Sequence, residues 1–222
     1  MERIEAICQI TRPVNTLADI GCDHGQIGYR LLADGQCQRL LAVDISPPSL
    51  DKARRLFAGK NMLDRVAFSV SDGLACAQGT NAAIIAGMGG YTITHMLEKD
   101  ITVAQHMDYL VLAPHNRAGF VRRRVAELGF TITEEAIAVE NGRHYPILRI
   151  APGTMPPMGL LEEEIGPINL TRHTPEVAGY LRYRKQVAEK ILRNMEKGGA
   201  EHTRQYHQEL LSLLEQRLGK EE

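Results

Sequence analysis

Tryptophan is absent from this chain of 222 residues, and aromatic residues make up only 5% of it. A protein that reads nucleic acid mainly by stacking bases on aromatic rings would need more rings than this. Cysteine is also sparse, with no CxxC pair among the four residues, which are Cys8, Cys22, Cys37 and Cys76. This spacing predicts free thiols in a reducing, cytoplasmic environment, with neither a metal site nor a disulfide framework.

Long apolar runs are missing as well, because no segment approaches the roughly 18 uncharged apolar residues that cross a bilayer. The N-terminal segment MERIEAICQITRP carries charges where a signal peptide needs its apolar run. We therefore expect neither secretion nor a membrane partner. The charges nearly cancel, with 26 basic and 27 acidic residues, which excludes a globally basic protein but leaves room for a local basic patch.

Short apolar runs alternate with amphipathic segments from Thr16 to about Ile150. Such runs are typical of strands that are buried on both faces of a parallel sheet. The five runs are LADI (17–20), RLLAVD (39–44), RVAFSV (65–70), AAIIAG (82–87) and DYLVLAP (108–114). Helical patterns occupy the gaps, at 26–33, 48–58, 91–99 and 117–128. The alternation predicts a doubly wound, Rossmann-like α/β sheet.

The pattern changes after the fifth run. Residues 130–152 contain two extended runs joined by Asn141-Gly142, which is a strong signal for a β-hairpin. Five parallel strands followed by an antiparallel pair are the order of class I methyltransferases, whereas a dinucleotide-binding dehydrogenase normally continues with another βα unit. The hairpin favours the first class without deciding the question.

The C-terminal part of the chain differs in composition. Residues 152–175 hold five of the ten prolines and predict a linker with one short helix. A charged helix is predicted from Pro175 until Lys197-Gly198-Gly199, and the apolar pattern then resumes at heptad-like spacing with Leu211, Leu214 and Leu218. Two antiparallel helices in a coiled-coil hairpin would explain this pattern. The predicted domains are therefore 1–152 for the α/β sheet and 153–222 for the linker and coiled coil.

Polar residues and glycines follow the first two predicted strands, at the edge where open α/β sheets bind ligands. Asp19 lies inside the first apolar run, and glycines 21, 25 and 28 follow it with the spacing GxxxGxxG. This spacing favours a loop that admits a nucleoside with an amino-acid tail over a dinucleotide site. The second strand ends at Asp44, which Ile45 follows, and a carboxylate there can accept hydrogen bonds from a ribose diol. A plain turn at Gly21 and a helix N-cap at Asp44 are the structural alternatives.

The other three predicted strands end in the same manner. Asp72-Gly73 follows the third strand, where an acid can receive the N6 amino group of adenine or can simply face solvent in a turn. Gly87-Met88-Gly89-Gly90 follows the fourth strand and leaves the backbone bare, which suits close approach of a ligand or a wide turn. His115-Asn116-Arg117 follows the fifth strand and suits a planar polar base and a phosphate.

Six segments together carry a resemblance to a known family: ADIGCDHG (18–25), AVDISPPSLDKA (42–53), SDG (71–73), the strand with GMGG (84–90), LAPHN (112–116) and ENGRHYPILRI (140–150). They resemble the bacterial tRNA (adenine-N1)-methyltransferases called TrmK, which modify adenosine 22 in the D-arm of tRNA. The resemblance covers roughly residues 1–150 in order, and the predicted C-terminal hairpin is similar to the coiled-coil domain of that family. It implies S-adenosylmethionine as the cofactor and tRNA as the partner.

The resemblance also implies roles for individual residues. The cofactor would be bound by Asp19, Gly21, Asp44, Ile45, Asp72, Gly73 and Gly87. Catalysis is implied for Asp23, His24 and Asn116, and substrate binding for Gly89, Gly90, His115, Arg117, Arg143 and Tyr145. The chain departs from the family pattern at Cys22-Asp23-His24-Gly25, where a small hydroxyl residue followed by Asp-His-Ala is expected.

The chemistry of N1 methylation agrees with these residues. Adenine N1 has an in-plane lone pair, so alignment with the methyl donor matters more than a general base. The ring gains positive charge, which a carboxylate such as Asp23 would stabilise or accompany with a hydrogen bond to N6. His24 would relay a proton with it or serve only as a structural residue of the turn. Cys22 is not needed as a nucleophile.

Binding to tRNA would require a local basic surface. The candidates beside the sheet edge are Arg117, Arg122, Arg123, Arg124, Arg143 and His144, and those in the coiled coil are Lys185, Lys190, Arg193 and Arg204. The alternative is that these are solvated helix faces. Two other functions stay open at this point: a class I methyltransferase acting on a small molecule, and a cofactor-sensing module whose coiled coil recruits a protein. The oligomeric state is not fixed by the sequence, and we favour a monomer.

Overall fold

A mixed sheet forms the centre of the first of two compact units in the computed structural model, which describes residues 1–195 and 200–219. The first unit is Met1–Pro156 and the second is Pro157–Glu222. The strands of the first unit are β1 (Val14–Ile20), β2 (Cys37–Asp44), β3 (Val66–Val70), β4 (Ala82–Met88), β5 (Tyr109–Pro114), β6 (Phe130–Glu140) and β7 (Arg143–Pro152). They lie in the order β3-β2-β1-β4-β5-β7-β6.

The pairing of these strands brings their ends to one edge. Neighbours from β3 across to β5 are parallel, and β7 pairs antiparallel with both β5 and β6. Asp19 of β1 is in register with Ala42 of β2 and with Ile84 of β4. All six residues of β5 are buried, as expected for a strand that helices cover on both faces. The predicted α/β class, with five parallel strands and an antiparallel hairpin, is confirmed.

Helices on both faces of the sheet complete the first unit. Their bounds are α1 (Arg3–Ile10), α2 (Gln26–Ala33), α3 (Pro47–Gly59), α4 (Gly90–Lys99), α5 (Ile101–Gln105) and α6 (Ala118–Glu127). Helix α3 starts immediately after the end of β2, where the side chain of Ser46 accepts a hydrogen bond from the Ser49 N–H and two prolines occupy the first turn. The four helices expected from the sequence are present, with bounds that differ by one residue at most.

Helix α1 was not predicted from the sequence. It buries Ala6, Ile7 and Ile10, and the Arg149 guanidinium of β7 donates a hydrogen bond of 2.7 Å to the carbonyl oxygen of Ile10. The last residue of the helix is thereby tied to β7 of the antiparallel hairpin. This packing brings the start of α1 to the carboxyl ends of the parallel strands.

The second unit consists of α7 (Leu160–Ile165), α8 (Pro175–Met195) and α9 (Glu201–Leu218). The ion pair of Lys185 with Glu215 and the hydrogen bond from Arg204 to the Met195 carbonyl show that α8 and α9 run antiparallel. Glu164 of α7 accepts a hydrogen bond from Tyr206 and pairs with Arg184, so the two long helices also pack on the short one. The predicted break at 197–199 lies outside the described residues.

Two sequence-based expectations concern membrane spans and the independence of the two predicted domains. Within 1–195 and 200–219, no helix combines the length and the apolar content that a bilayer crossing needs. Whether residues 1–152 fold without residues 153–222 stays a prediction.

Candidate active site

A cavity of about 650 Å³ opens at the carboxyl ends of the parallel strands. It is the place where an open α/β sheet binds its ligands. Nine of the residues expected at a site line it, namely Gly21, Asp23, His24, Asp44, Ile45, Asp72, Gly73, Gly87 and His115. The strand ends therefore converge as the sequence implied, although no ligand identity follows from their position.

Asp44 occupies the end of β2 and organises the neighbouring loop. Its Oδ2 accepts a hydrogen bond of 2.9 Å from the Asp23 N–H, and its Oδ1 accepts one of 2.8 Å from the Ser46 N–H. Asp23 has a φ of 47°, a left-handed conformation that is unfavourable for a residue with a side chain. The hydrogen bond that the Asp23 N–H donates to Asp44 stabilises this conformation, so the carboxylate at the end of β2 sets the shape of the loop that follows β1.

Asp23 and His24 form a pair at the mouth of the cavity. The distance from His24 Nδ1 to Asp23 Oδ2 is 3.0 Å, and the two side chains are 48% and 66% exposed. Ser49 of α3 donates a weak hydrogen bond of 3.4 Å to the other oxygen of Asp23. The pair is therefore open to a second substrate while its backbone is fixed by Asp44.

Asp19 lies beneath the cavity rather than in its wall. It is 1% exposed, and its Oδ2 accepts a hydrogen bond of 3.1 Å from the Gly28 N–H. A side chain at position 28 would come within 2.5 Å of Leu40, so α2 and β2 approach closely here. Burial raises the pKa of Asp19 to about 7. Asp19 is not among the residues that line the cavity and anchors the start of α2; the cofactor-binding role that the resemblance implies for it stays a prediction.

Asp72 and Gly73 form the cavity wall after β3. Asp72 is exposed and lies 3.7 Å from Lys99 Nζ, while Asp100 accepts hydrogen bonds from the backbone N–H groups of Leu74 and Ala75. A Cβ at position 73 would stand 2.6 Å from Asp100, and the φ of 107° also demands glycine. Asp100 therefore holds the turn after β3 in place, and Asp72 lines the cavity.

The glycines after β1 and β4 keep the backbone of the cavity floor bare. A Cβ on Gly21 would lie 2.2 Å from the methyl carbon of Met88, and one on Gly90 would lie 2.9 Å from the Asn116 carbonyl oxygen. The side chain of Asn116 accepts a hydrogen bond of 3.2 Å from the Gly90 N–H. Asn116 therefore links the ends of β4 and β5, and together with Gly89 and Gly90 it lies next to the cavity without lining it.

The remaining predicted substrate residues lie at the rim. Arg117 is exposed, with its Cζ 4.6 Å from the ring centroid of Tyr91, a tyrosine that is itself 55% exposed. Arg143 is exposed at the turn of the hairpin, and Tyr145 meets His115 edge to face at 6.0 Å. None of Arg117, Arg143 and Tyr145 lines the cavity.

The predicted basic patch on α6 is partly wrong. Arg122 is completely buried and pairs with the equally buried Glu135 at 2.7 Å, so it cannot reach a phosphate. Arg124 pairs with Glu98 and with Glu127. Charge alone had suggested a binding surface, but β6 and α4 supply acids that the linear pattern of α6 does not show.

Two further observations limit the chemistry of the site. Burial raises the pKa of the Cys22 thiol to about 12, so it is protonated at neutral pH and is not a nucleophile. Within the described ranges, no three His, Cys, Asp or Glu side chains are grouped as a metal ion would require.

Two residues that line the cavity, Arg3 and Ile4 of α1, were not predicted from the sequence. The spacing of Arg3, Ile7 and Ile10 was a signal for the helix, although it does not reveal that Arg3 and Ile4 reach the cavity.

Comparison with known proteins gives this architecture a family. The profile of the methyltransferase-domain family matches residues 1–148. The chain belongs to this family. A Mycoplasma pneumoniae protein, assigned by its name to the tRNA methyltransferases, is 30% identical over 164 residues, which are 69% of this chain and 73% of that protein.

Two more relatives support the resemblance to the TrmK enzymes. The tRNA (adenine(22)-N(1))-methyltransferase of Bacillus subtilis is 24% identical over 149 residues, which span 66% of this chain but only 63% of that enzyme. The methyltransferase domain is also similar in structure, together with the C-terminal helices, to Mycoplasma capricolum TrmK in complex with S-adenosylhomocysteine. That comparison has a TM-score of 0.83, 18% identity and coverage of 98% of this chain and 96% of the other. The family assignment made from the sequence is thus confirmed.

Proposed function

We propose that this protein transfers the methyl group of S-adenosylmethionine to N1 of adenosine 22 in tRNA. The observation that carries the proposal is the cavity at the carboxyl ends of β1 to β5, where Asp44 and Asp72 line one side and the glycine loop after β1 lies next to them, in a methyltransferase fold. Relatives whose names specify this reaction support the choice of substrate. The cytoplasmic location stays a prediction.

The cavity fits the proposed cofactor in its chemistry. Asp44 has a carboxylate with two oxygens that each accept one backbone N–H, and a carboxylate has about four lone-pair sites, so capacity remains for a ribose diol. Ile45 is 69% exposed and lines the cavity, where it offers an apolar face to the adenine ring. Asp72 would accept the adenine N6 amino group. When bound, S-adenosylmethionine supplies a methyl group activated by a sulfonium.

The residues around the reacting centre suit an incoming adenine base. Asp23 would hold N6 or balance the charge that the ring gains, because its side chain lies at the mouth of the cavity and is 66% exposed. The 3.0 Å contact with His24 Nδ1 orients that carboxylate, and the imidazole, which is 48% exposed, would move a proton through its other nitrogen. The Asn116 side chain, fixed by the Gly90 N–H, would set the lateral position of the base.

Contacts with RNA outside the cavity would come from the exposed cations at its rim. Arg117 lies over the exposed ring of Tyr91, and guanidinium and aromatic planes are the surfaces on which unpaired bases stack. Arg143 is exposed on the β-hairpin. In the second unit, Lys190 and Arg193 of α8 are exposed and would add phosphate contacts.

The proposal is tested with tRNA that lacks modifications and with labelled S-adenosylmethionine. We expect label in 1-methyladenosine after nucleoside analysis, and none when guanosine replaces adenosine at position 22. Asp23→Asn keeps the size of the side chain but removes its charge, and we expect this variant to transfer less label than the unchanged protein. Transfer of label to a small molecule but not to RNA would support the alternative methyltransferase. Cofactor binding without any transfer would indicate the sensing module instead.

A further inference from the structure

Arg3 is a cavity residue to which no role has been assigned. It begins α1 and lines the cavity next to Ile4. Among the lining residues in the described part of the chain, it is the one arginine, and no lysine accompanies it. The carboxylates that line the same cavity are Asp23, Asp44 and Asp72. A cavity with this distribution of charge suits a ligand that carries an anionic group in addition to cationic ones.

An aromatic ring holds the guanidinium of Arg3 in place. The Cζ atom lies 5.5 Å from the ring centroid of Tyr145, within the range of a cation–π interaction. Tyr145 is in turn packed edge to face with His115, which lines the cavity. The Nε of Arg3 is buried and has no acceptor among the residues described. Because a buried N–H without an acceptor is unfavourable, a ligand oxygen at this point would be bound strongly.

The order of the strands decides which end of the cofactor Arg3 can reach. Asp72 and Asp44 follow β3 and β2, on one side of the central strand β1. Tyr145, whose ring holds Arg3, belongs to β7, and His115, which packs on Tyr145, directly follows β5; both strands lie on the opposite side of β1. A nucleoside whose base and ribose lie at Asp72 and Asp44 therefore extends its other end across the glycine loop towards Arg3.

We propose that Arg3 binds the carboxylate of the methionyl tail of S-adenosylmethionine. This inference rests on the proposed function, since it assumes that cofactor. A guanidinium presents two parallel N–H groups that match the two oxygens of a carboxylate. Helix α1 thereby becomes part of the cofactor site, and its position, fixed by the hydrogen bond from Arg149 to Ile10, determines how the tail is held.

The test compares two ligands that differ in the tail. S-adenosylhomocysteine carries the amino-acid tail, whereas 5′-methylthioadenosine has the same nucleoside without it. We expect Arg3→Gln to weaken calorimetric binding of S-adenosylhomocysteine by about 10- to 100-fold, the range for losing a charged hydrogen bond. Binding of 5′-methylthioadenosine should change by less than about twofold. Arg3→Lys should recover part of the affinity, and Arg12→Gln, at an exposed arginine just after α1, is the matched control.

Three results would overturn the inference. Unchanged affinity for S-adenosylhomocysteine would show that Arg3 does not bind the carboxylate of the tail. Equal losses for both ligands, with the loss shared by Arg3→Lys, would mean that Arg3 only supports the cavity wall. A loss of tRNA affinity with full cofactor affinity would assign the guanidinium to an RNA phosphate. Because none of the cofactor titrations contains RNA, a wild-type protein that binds S-adenosylhomocysteine but methylates no tRNA would refute the proposed function and leave this test intact.

Discussion

Replacement of Asp44 by alanine or asparagine probes the centre of the candidate site. The carboxylate accepts the N–H groups of Asp23 and Ser46, and under the proposed function it also accepts the ribose diol. Alanine removes all of these interactions. Asparagine keeps one carbonyl oxygen, so it can accept from one backbone partner but has lost both the charge and the second acceptor.

The magnitude follows from the geometry of these bonds. Hydrogen bonds to a charged acceptor contribute about 1.5–3 kcal/mol, so Asp44→Ala should weaken binding of S-adenosylhomocysteine by about 10- to 150-fold. The loss of folding stability should be smaller, about 0.5–1.5 kcal/mol, because Asp44 is only half-buried and water can replace it at both N–H groups. Asp23 then loses the bond that stabilises its left-handed backbone. Turnover at saturating cofactor should therefore fall as well.

The assay combines calorimetric titration with S-adenosylhomocysteine, urea denaturation and turnover at saturating cofactor. Asp51→Asn on the exposed face of α3 is the control for removing a carboxylate near β2. We expect asparagine at position 44 to retain more turnover than alanine, since it can still accept the Asp23 N–H. Wild-type affinity in a folded Asp44→Ala protein would show that Asp44 does not bind the ligand. Wild-type turnover at saturating cofactor would show that Asp44 does not act on catalysis through Asp23.

Four other changes test separate parts of the structure. Asp23→Asn should lower turnover at least about tenfold while affinity for S-adenosylhomocysteine changes less than about twofold; equal turnover would make Asp23 structural. Burial raises the pKa of Asp19 to about 7, above about 3.9 in the unfolded chain, so its contribution to stability is complete below about pH 4 and is lost as pH rises through about 7. Urea denaturation should show that Asp19→Asn flattens this dependence, and an unchanged slope would contradict the assignment. Arg122→Ala should destabilise the fold by about 3–5 kcal/mol in the same assay, because it breaks the fully buried ion pair of Arg122 with Glu135; a loss below about 1 kcal/mol would refute this. Deletion of residues 153–222 should leave a folded, cofactor-binding domain with weaker tRNA binding, and a calorimetric titration with equal tRNA affinity would contradict it.

The sheet was predictable because burial on both faces leaves a simple trace in the sequence. The residues of β4 from Ala82 to Ala86 and all of β5 are buried, and both appear as continuous apolar runs. The hairpin was predictable for a different reason, since Asn141 and Gly142 both adopt positive φ at the turn. The sequence signal for helix α1 is weaker. It has eight residues and no side-chain N-cap, so its three buried positions were not distinguished from an irregular segment.

The candidate site was predictable as far as the topology determines it. Parallel strands end at one edge, so the residues that follow them meet without any knowledge of side-chain packing. Side-chain direction is not encoded in this way. Asp19 and Asp44 both stand at strand ends, yet Asp19 turns under the sheet edge to the Gly28 N–H while Asp44 faces the cavity. Arg3 reaches the cavity through contacts between α1 and distant strands, which short-range patterns cannot reveal.

The error at Arg122 shows how burial limits an argument from charge. Ala118, Val121, Arg122 and Val125 follow the spacing i, i+3, i+4 and i+7, which is the buried stripe of an amphipathic helix. Arg122 thus occupies a core position, and its spacing was a better guide than its charge. With Arg122 buried and Arg124 paired to two glutamates, the cations left at the rim are fewer than the sequence suggested. Each phosphate contact contributes about 0.7–0.9 to the logarithmic salt slope, so with fewer cations available for phosphate contacts we expect RNA binding with a shallow salt dependence. Under the proposed function, selectivity would then come mainly from how the target base fits beside Asp23 and His24.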